Sequence, residues 1–197
     1  MILDRINISK ILKAHIKTLY DYRESEWSGK KKMSKADISI FIILPIILAA
    51  FFVSIGMMIN NFYINLIITS LSIFVALLFS FLTLVYQIVI KKREQFSKDL
   101  VNKKQEIKYR LVKELFVNIA FSIALSIMCI VAILLTRFNP LILTRLLSKI
   151  SFYKLIRTVY LDLTNFISYF LIIEFVFLLL MILKRFFIVF ESEFSET

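Results

Sequence analysis

The sequence predicts an all-α membrane protein, with four transmembrane helices, a cytoplasmic helical hairpin extension and an N-terminal interfacial helix. Hydrophobic residues make up 59% of the 197-residue chain, against about 45–50% in ordinary soluble domains. Four apolar stretches match the roughly 20 residues that a helix needs to cross the bilayer core. Nearly all charged residues lie between them. The predicted spans are residues 39–59, 62–90, 115–136 and 163–183.

The basic residues predict the orientation of the chain. Lys and Arg number 9 in residues 1–38, 9 in residues 91–114 and 2 after residue 183, whereas residues 137–162 hold 5. Loops rich in Lys and Arg stay on the cytoplasmic side. We therefore expect a multi-pass membrane protein with both termini and the 91–114 loop on the cytoplasmic side. The net charge of +11 is expected to face membrane lipid, not nucleic acid, because it flanks spans and covers no folded soluble domain.

Three regions follow from these patterns. Residues 1–37 form an N-terminal amphipathic cytoplasmic segment, residues 38–190 the four-helix transmembrane domain, and residues 191–197 a cytoplasmic tail. The transmembrane domain includes the cytoplasmic hairpin, residues 91–114, and an external interfacial segment, residues 137–162. Part of that external segment could instead enter the bilayer as a re-entrant stretch, which its basic residues disfavour.

The first 22 residues have the pattern of a basic interfacial helix, which would lie on the inner leaflet or against the hairpin. Its apolar face holds Ile8, Ile11, Leu12, Ile16, Leu19 and Tyr20, and its opposite face holds Lys10, Lys13 and Lys17. His15 is the single histidine of the chain. No Cys, Asp or Glu cluster accompanies it, so we expect a structural or surface histidine, and neither a metal site nor a cofactor.

Proline and asparagine mark the expected interruptions. Pro45 should kink the first span, because it removes one backbone hydrogen bond. Asn60 and Asn61 form the expected tight turn between spans one and two.

The predicted hairpin is rich in Lys, Glu and Gln, which favour helix. We expect spans two and three to continue inward and to meet at a turn near residues 97–102. The hairpin is either a solvated spacer or a docking stalk for a soluble cytoplasmic protein. In the second case its basic residues are the docking candidates, namely Lys98, Lys103, Lys104, Lys108 and Arg110.

Glu174 is the ionisable residue nearest the centre of a predicted span. A carboxylate at mid-bilayer costs at least about 2.5 kcal/mol, so its side chain should face other helices or water. It could act as a hydrogen-bonding contact between helices, or in ion or proton passage.

Spans two and three also carry stripes of small and weakly polar residues at spacings of three and four. On span two these are Thr69, Ser72, Ala76, Ser80, Thr83 and Gln87; on span three they are Asn118, Ser122, Ser126 and Cys129. In lipid such faces pack helices together, and in an oligomer they could line a pore. The sequence shows no metal-ligand cluster, no nucleophile with its base and no phosphate-binding glycine loop, so we do not expect an enzyme.

Residues 18–45, which read TLYDYRESEWSGKKKMSKADISIFIILP, carry a family resemblance. With the chain length, the topology and the basic hairpin, they resemble the membrane subunits of Kiwa anti-phage defence systems. The resemblance implies an inner-membrane oligomer that senses phage attachment or infection and holds a cytoplasmic DNA-binding effector.

The sequence therefore supports three hypotheses. The first is a homo-oligomeric membrane sensor and anchor in antiviral defence, which recruits and controls a soluble effector. The second is a self-assembling pore that depolarises the membrane. The third is a small transporter or accessory subunit that couples to protons through Glu174.

Overall fold

The computed structural model describes residues 8–18, 39–96, 103–137 and 153–194. In these ranges the chain is helical apart from one short connection, and it contains no strand. The elements are α1 (Ile8–Thr18), α2 (Leu44–Ser54, preceded by a π-helical turn at Ser39–Ile43), α3 (Asn61–Phe96), α4 (Lys103–Arg137) and α5 (Tyr153–Phe194).

Three of these helices are long and apolar enough to cross a membrane. Their apolar parts are Asn61–Lys91 in α3, Tyr109–Thr136 in α4 and Leu155–Glu191 in α5. The predicted all-α class is confirmed for the described residues, and the three long apolar helices are consistent with a membrane protein. The helices α3 and α4 extend past their apolar parts to Phe96 and from Lys103, and the predicted hairpin turn between them lies outside the described residues.

The helix at the position of the first predicted span is shorter than expected, and it is not one of the three that are long enough to cross a membrane. The apolar helix covers Ser39–Ser54, and it ends five residues before the predicted boundary at residue 59. Pro45, expected to kink the first span, occupies one of the first two positions of α2, directly after the π-helical turn. Proline fits there because its missing N–H is not needed in the first turn of a helix.

Gly56 is the reason that α2 ends early. Its φ of +77° lies in the left-handed region, and two backbone bonds close the turn: Gly56 N to Val53 O at 2.9 Å and Met57 N to Phe52 O at 3.1 Å. This is a Schellman motif, which satisfies carbonyl groups at a helix C-terminus.

Asn60 starts the next helix instead of forming a tight turn with Asn61. Its Oδ1 accepts a hydrogen bond from the backbone N of Tyr63 at 3.0 Å, which caps α3.

The long helices form one packed group. α4 packs on both α3 and α5, α5 also packs on α2, and α1 packs on α4. The side chains of Glu114 and Arg185 meet at one end, and Tyr160 bonds the Leu135 carbonyl at the other. α4 and α5 are therefore antiparallel. We call the end that contains Glu114 and Arg185 the hairpin end, since α3 finishes and α4 begins on that side.

The predicted external segment is not a separate interfacial helix in its last ten residues. Residues 153–162 are the first turns of α5, which continues without a break to Phe194. The reason is local: no glycine or proline interrupts this stretch, so nothing ends the helix. α5 also runs into the predicted C-terminal tail. Residues 138–152, with the proposed re-entrant part, lie outside the described residues.

Candidate functional site at the docked N-terminal helix

α1 lies against α4 with one face and exposes the other. His15 and Thr18 are buried. Lys10, Lys13 and Lys17 are exposed, and Leu12, between the two faces, is 42% exposed. The apolar side of α1 therefore packs partly on α4, and its remaining part is exposed. The sequence placed α1 on the inner leaflet or against the hairpin; its described contacts on α4 are instead with Asn118 and Phe121, which lie in predicted span three.

Asn118 of α4 is the centre of the contact. Its Oδ1 lies 2.9 Å from Nδ1 of His15 and 2.9 Å from Oγ1 of Thr18. Oδ1 can only accept, so the imidazole and the hydroxyl both donate to it. The Thr18 hydroxyl also lies 2.8 Å from the carbonyl O of His15. Asn118 is fully buried, and one amide oxygen thus holds two side chains that are about 100 positions away in the sequence.

The His15 ring is enclosed. It is 3% exposed and stacks on Phe121 with ring centroids 4.1 Å apart and planes 11° apart. Burial lowers the pKa of His15 from 6.5 to about 4; the hydrogen bond with Asn118 opposes this shift, and the charge of Arg185 adds to it. His15 is neutral at pH 7. The sequence prediction of a structural or surface histidine thus resolves to a buried, hydrogen-bonded one.

Arg185 of α5 connects Thr18 of α1 to α4. Its Nη2 donates to the backbone carbonyl of Thr18 at 2.8 Å, and its Nη1 lies 3.4 Å from Oε2 of Glu114. The other oxygen of Glu114 lies 3.4 Å from Nε of Arg110. The guanidinium thus contacts both the backbone of Thr18, the last residue of α1 that the structure describes, and the carboxylate of Glu114. The three helices α1, α4 and α5 are joined at this point.

The polar stripe on α4 is buried within the subunit. Asn118, Ser122, Ser126 and Cys129 are all 0% exposed. The Ser122 hydroxyl bonds the Asn118 carbonyl at 3.0 Å, and the Ser126 hydroxyl bonds the Ile123 carbonyl at 2.8 Å. Both serines therefore contribute small volume to the packing and make these bonds within their own helix. As long as α4 is packed this way, its stripe cannot line a pore.

The stripe on α3, unlike the stripe on α4, lies on the surface of the helix group. All six residues, Thr69, Ser72, Ala76, Ser80, Thr83 and Gln87, are exposed. Of the most apolar 18-residue segment of α3, only 11% is buried within the chain, whereas 44% of the corresponding segment of α4 is buried. This face of α3 is therefore directed away from the other described helices.

Glu174 lies apart from the Asn118 cluster. It is half-buried in α5, and its buried Oε2 has no hydrogen-bond partner among the described residues. That this side chain faces other helices or water stays a prediction. No hydrogen bond joins it to a second helix within the described chain.

The structure describes four of the five docking candidates of the hairpin. Lys98 lies outside the described residues. Lys103, Lys104 and Lys108 belong to the first turns of α4. Arg110 is exposed and paired with Glu114.

Sequence reasoning found Asn118 and noted His15, but it did not join them. It missed Thr18, Glu114 and Arg185 altogether. One signal was present: Ile8, Ile11 and His15 follow at spacings of three and four, which places the histidine on the apolar face of α1.

Among the described residues, no group of three or more His, Cys, Asp or Glu could hold a metal ion. Comparison of the chain with protein-family models, with curated proteins and with solved structures finds no match.

Proposed function

We propose that this chain is the membrane sensor and anchor of a bacterial antiviral defence complex, and that it recruits and controls a soluble cytoplasmic effector. The observation that supports a relay is the cluster around Asn118 and Arg185, which bonds α1 to the hairpin helix α4 and to α5. A shift of the long helices in the bilayer would move the basic helix α1 and the basic hairpin together, because buried hydrogen bonds join α1 to α4. The chemistry would belong to the effector.

The proposal includes four crossings of the inner membrane, with Ser39–Ser54 as the core of the first. Alkaline phosphatase and fluorescent-protein fusions at residue 1, in the 97–102 segment and at residue 197 should all report the cytoplasm. A fusion at residue 145 should report the periplasm. Basic residues set this orientation. A periplasmic signal from either terminus or from the 97–102 segment would contradict it.

Effector recruitment is tested through the hairpin charges. The change replaces Lys98, Lys103, Lys104 and Lys108 by Gln in the full chain, expressed with its neighbouring genes. We expect a soluble protein to co-purify in fixed ratio with the wild type and to be reduced at least tenfold in the variant, because charged contacts steer and hold such partners.

The matched control neutralises four cations in the proposed external region: Arg145, Lys149, Lys154 and Arg157. It should keep the soluble protein. Equal loss in both variants, or no co-purifying protein in the wild type, would count against the sensor.

A pore is the second candidate, and the exposed stripe on α3 favours it. Copies of the chain that met through Thr69, Ser72, Ala76, Ser80, Thr83 and Gln87 would bury small residues, which promotes helix association in lipid. The same contact would make the protein a homo-oligomer. Membrane depolarisation on expression of this chain alone would favour the pore over the sensor.

The transporter hypothesis rests on Glu174, whose Oε2 is buried without a described partner. A carboxyl group that is costly to bury can serve in proton coupling. No second acidic or basic side chain bonds to it within the described chain, so the geometry supports this function least.

A further inference from the structure

We propose that α1 is a releasable latch: neutral His15 holds it on α4, and a proton taken up by His15 releases it. The inference rests on the geometry of the α1 contact, and it stands whether or not the chain controls a soluble effector.

The surroundings of His15 disfavour the protonated ring, although the Asn118 bond does not: Nδ1 can donate to Asn118 Oδ1 in the neutral and in the protonated form. Nδ1 already donates to Asn118 Oδ1, and no described residue accepts a hydrogen bond from Nε2. A proton added at Nε2 would place a cation in a site that is 3% exposed. Burying a charge without a partner is unfavourable. Stacking on Phe121 offsets part of this cost, since an aromatic face attracts a cation.

The charged groups around His15 oppose a second positive charge. Arg185 of α5 bonds the carbonyl of Thr18, three residues from His15, and its charge disfavours the protonated ring. Glu114 of α4 is the nearby acid, but it is already engaged by Arg185 and Arg110. Lys17 on α1 and Lys113 on α4 are exposed, so water screens them.

The direction of the pH dependence follows from the pKa of His15 in the docked and in the released state of α1. Docked His15 has a pKa of about 4, whereas a released, solvated histidine has about 6.5. Docking is therefore strongest above pH 6.5 and weakens as the pH falls towards 4. At pH 5.5 the docking equilibrium should be about tenfold weaker than at pH 7.5. Release would uncover Asn118, Phe121 and the Glu114–Arg185 pair for another ligand.

The test uses the full chain in lipid nanodiscs, purified without a histidine tag. Since His15 is the only histidine, its ring proton signal in NMR reports its titration without ambiguity. Spin labels at Lys13 of α1 and Lys113 of α4, both exposed, report the distance between the helices, with Cys129 replaced by Ala.

We expect His15 to titrate below pH 6.5, and the label distance to lengthen over the same pH range. In His15→Gln the distance should not depend on pH in that range. In Glu114→Gln the pH dependence should remain. A label distance that stays constant while His15 titrates overturns the proposal. So does a His15→Gln variant with the pH response of the wild type.

Discussion

Replacing Asn118 with Leu is expected to detach α1 from the bundle. Leucine removes the acceptor that holds both His15 and Thr18, while Thr18 keeps the His15 carbonyl as an alternative. A buried polar group left without its partner costs about 1–3 kcal/mol, so docking should weaken by roughly tenfold to a hundredfold. The distance between labels at Lys13 and Lys113, measured at pH 7.5, should broaden towards longer values.

Ser122→Ala is the matched control. Ser122 is as buried as Asn118 and lies one turn further along α4, but its hydroxyl bonds its own helix. It should leave the label distance unchanged. An unchanged distance in Asn118→Leu, or the same broadening in Ser122→Ala, would show that the amide does not hold α1.

Replacing Arg185 with Gln is the second large change. It removes the donor to the Thr18 carbonyl and the partner of Glu114. Side chains of Arg185 and Glu114 are 16% and 19% exposed, so the loss should fall below the 3–5 kcal/mol measured for fully buried pairs, at about 2 kcal/mol. We expect this decrease in the free energy of unfolding in detergent, together with weaker α1 docking.

The double variant Glu114→Gln with Arg185→Gln tests why the loss of Arg185 is destabilising. If the unpaired carboxylate causes the loss, the double variant should be more stable than the sum of the single changes predicts, by about 1 kcal/mol. Lys184→Gln, next to Arg185 but exposed, should change stability by less than about 0.5 kcal/mol. Strict additivity in the double variant would contradict the ion pair.

The sequence was most informative about single helices. A period of 3.6 residues relates neighbours on one face, which is why the lysine face of α1 and the small-residue stripe of α4 could both be read directly. Length and apolarity gave α3, α4 and α5. Single residues decide the helix boundaries: Gly56 in a left-handed conformation ends α2 before residue 59, and no glycine or proline between Tyr153 and Phe194 interrupts α5.

The candidate site could be predicted only in fragments. The sequence marks His15 and Asn118 separately, but 103 positions separate them, and local periodicity gives no relation between distant helices. The two polar stripes show the same limit. They look alike in sequence, yet the one on α4 is buried and the one on α3 is exposed.

By itself, the sequence determined that this protein is helical and suited to lipid, because apolar length and helical spacing are properties of consecutive residues. Only the tertiary structure decided that α1 rests on α4, that Asn118 holds His15 and Thr18, and that Arg185 joins α1 to Glu114. The physical reason is that burial and hydrogen bonding depend on which faces meet, and that choice is made by all the helices packing together.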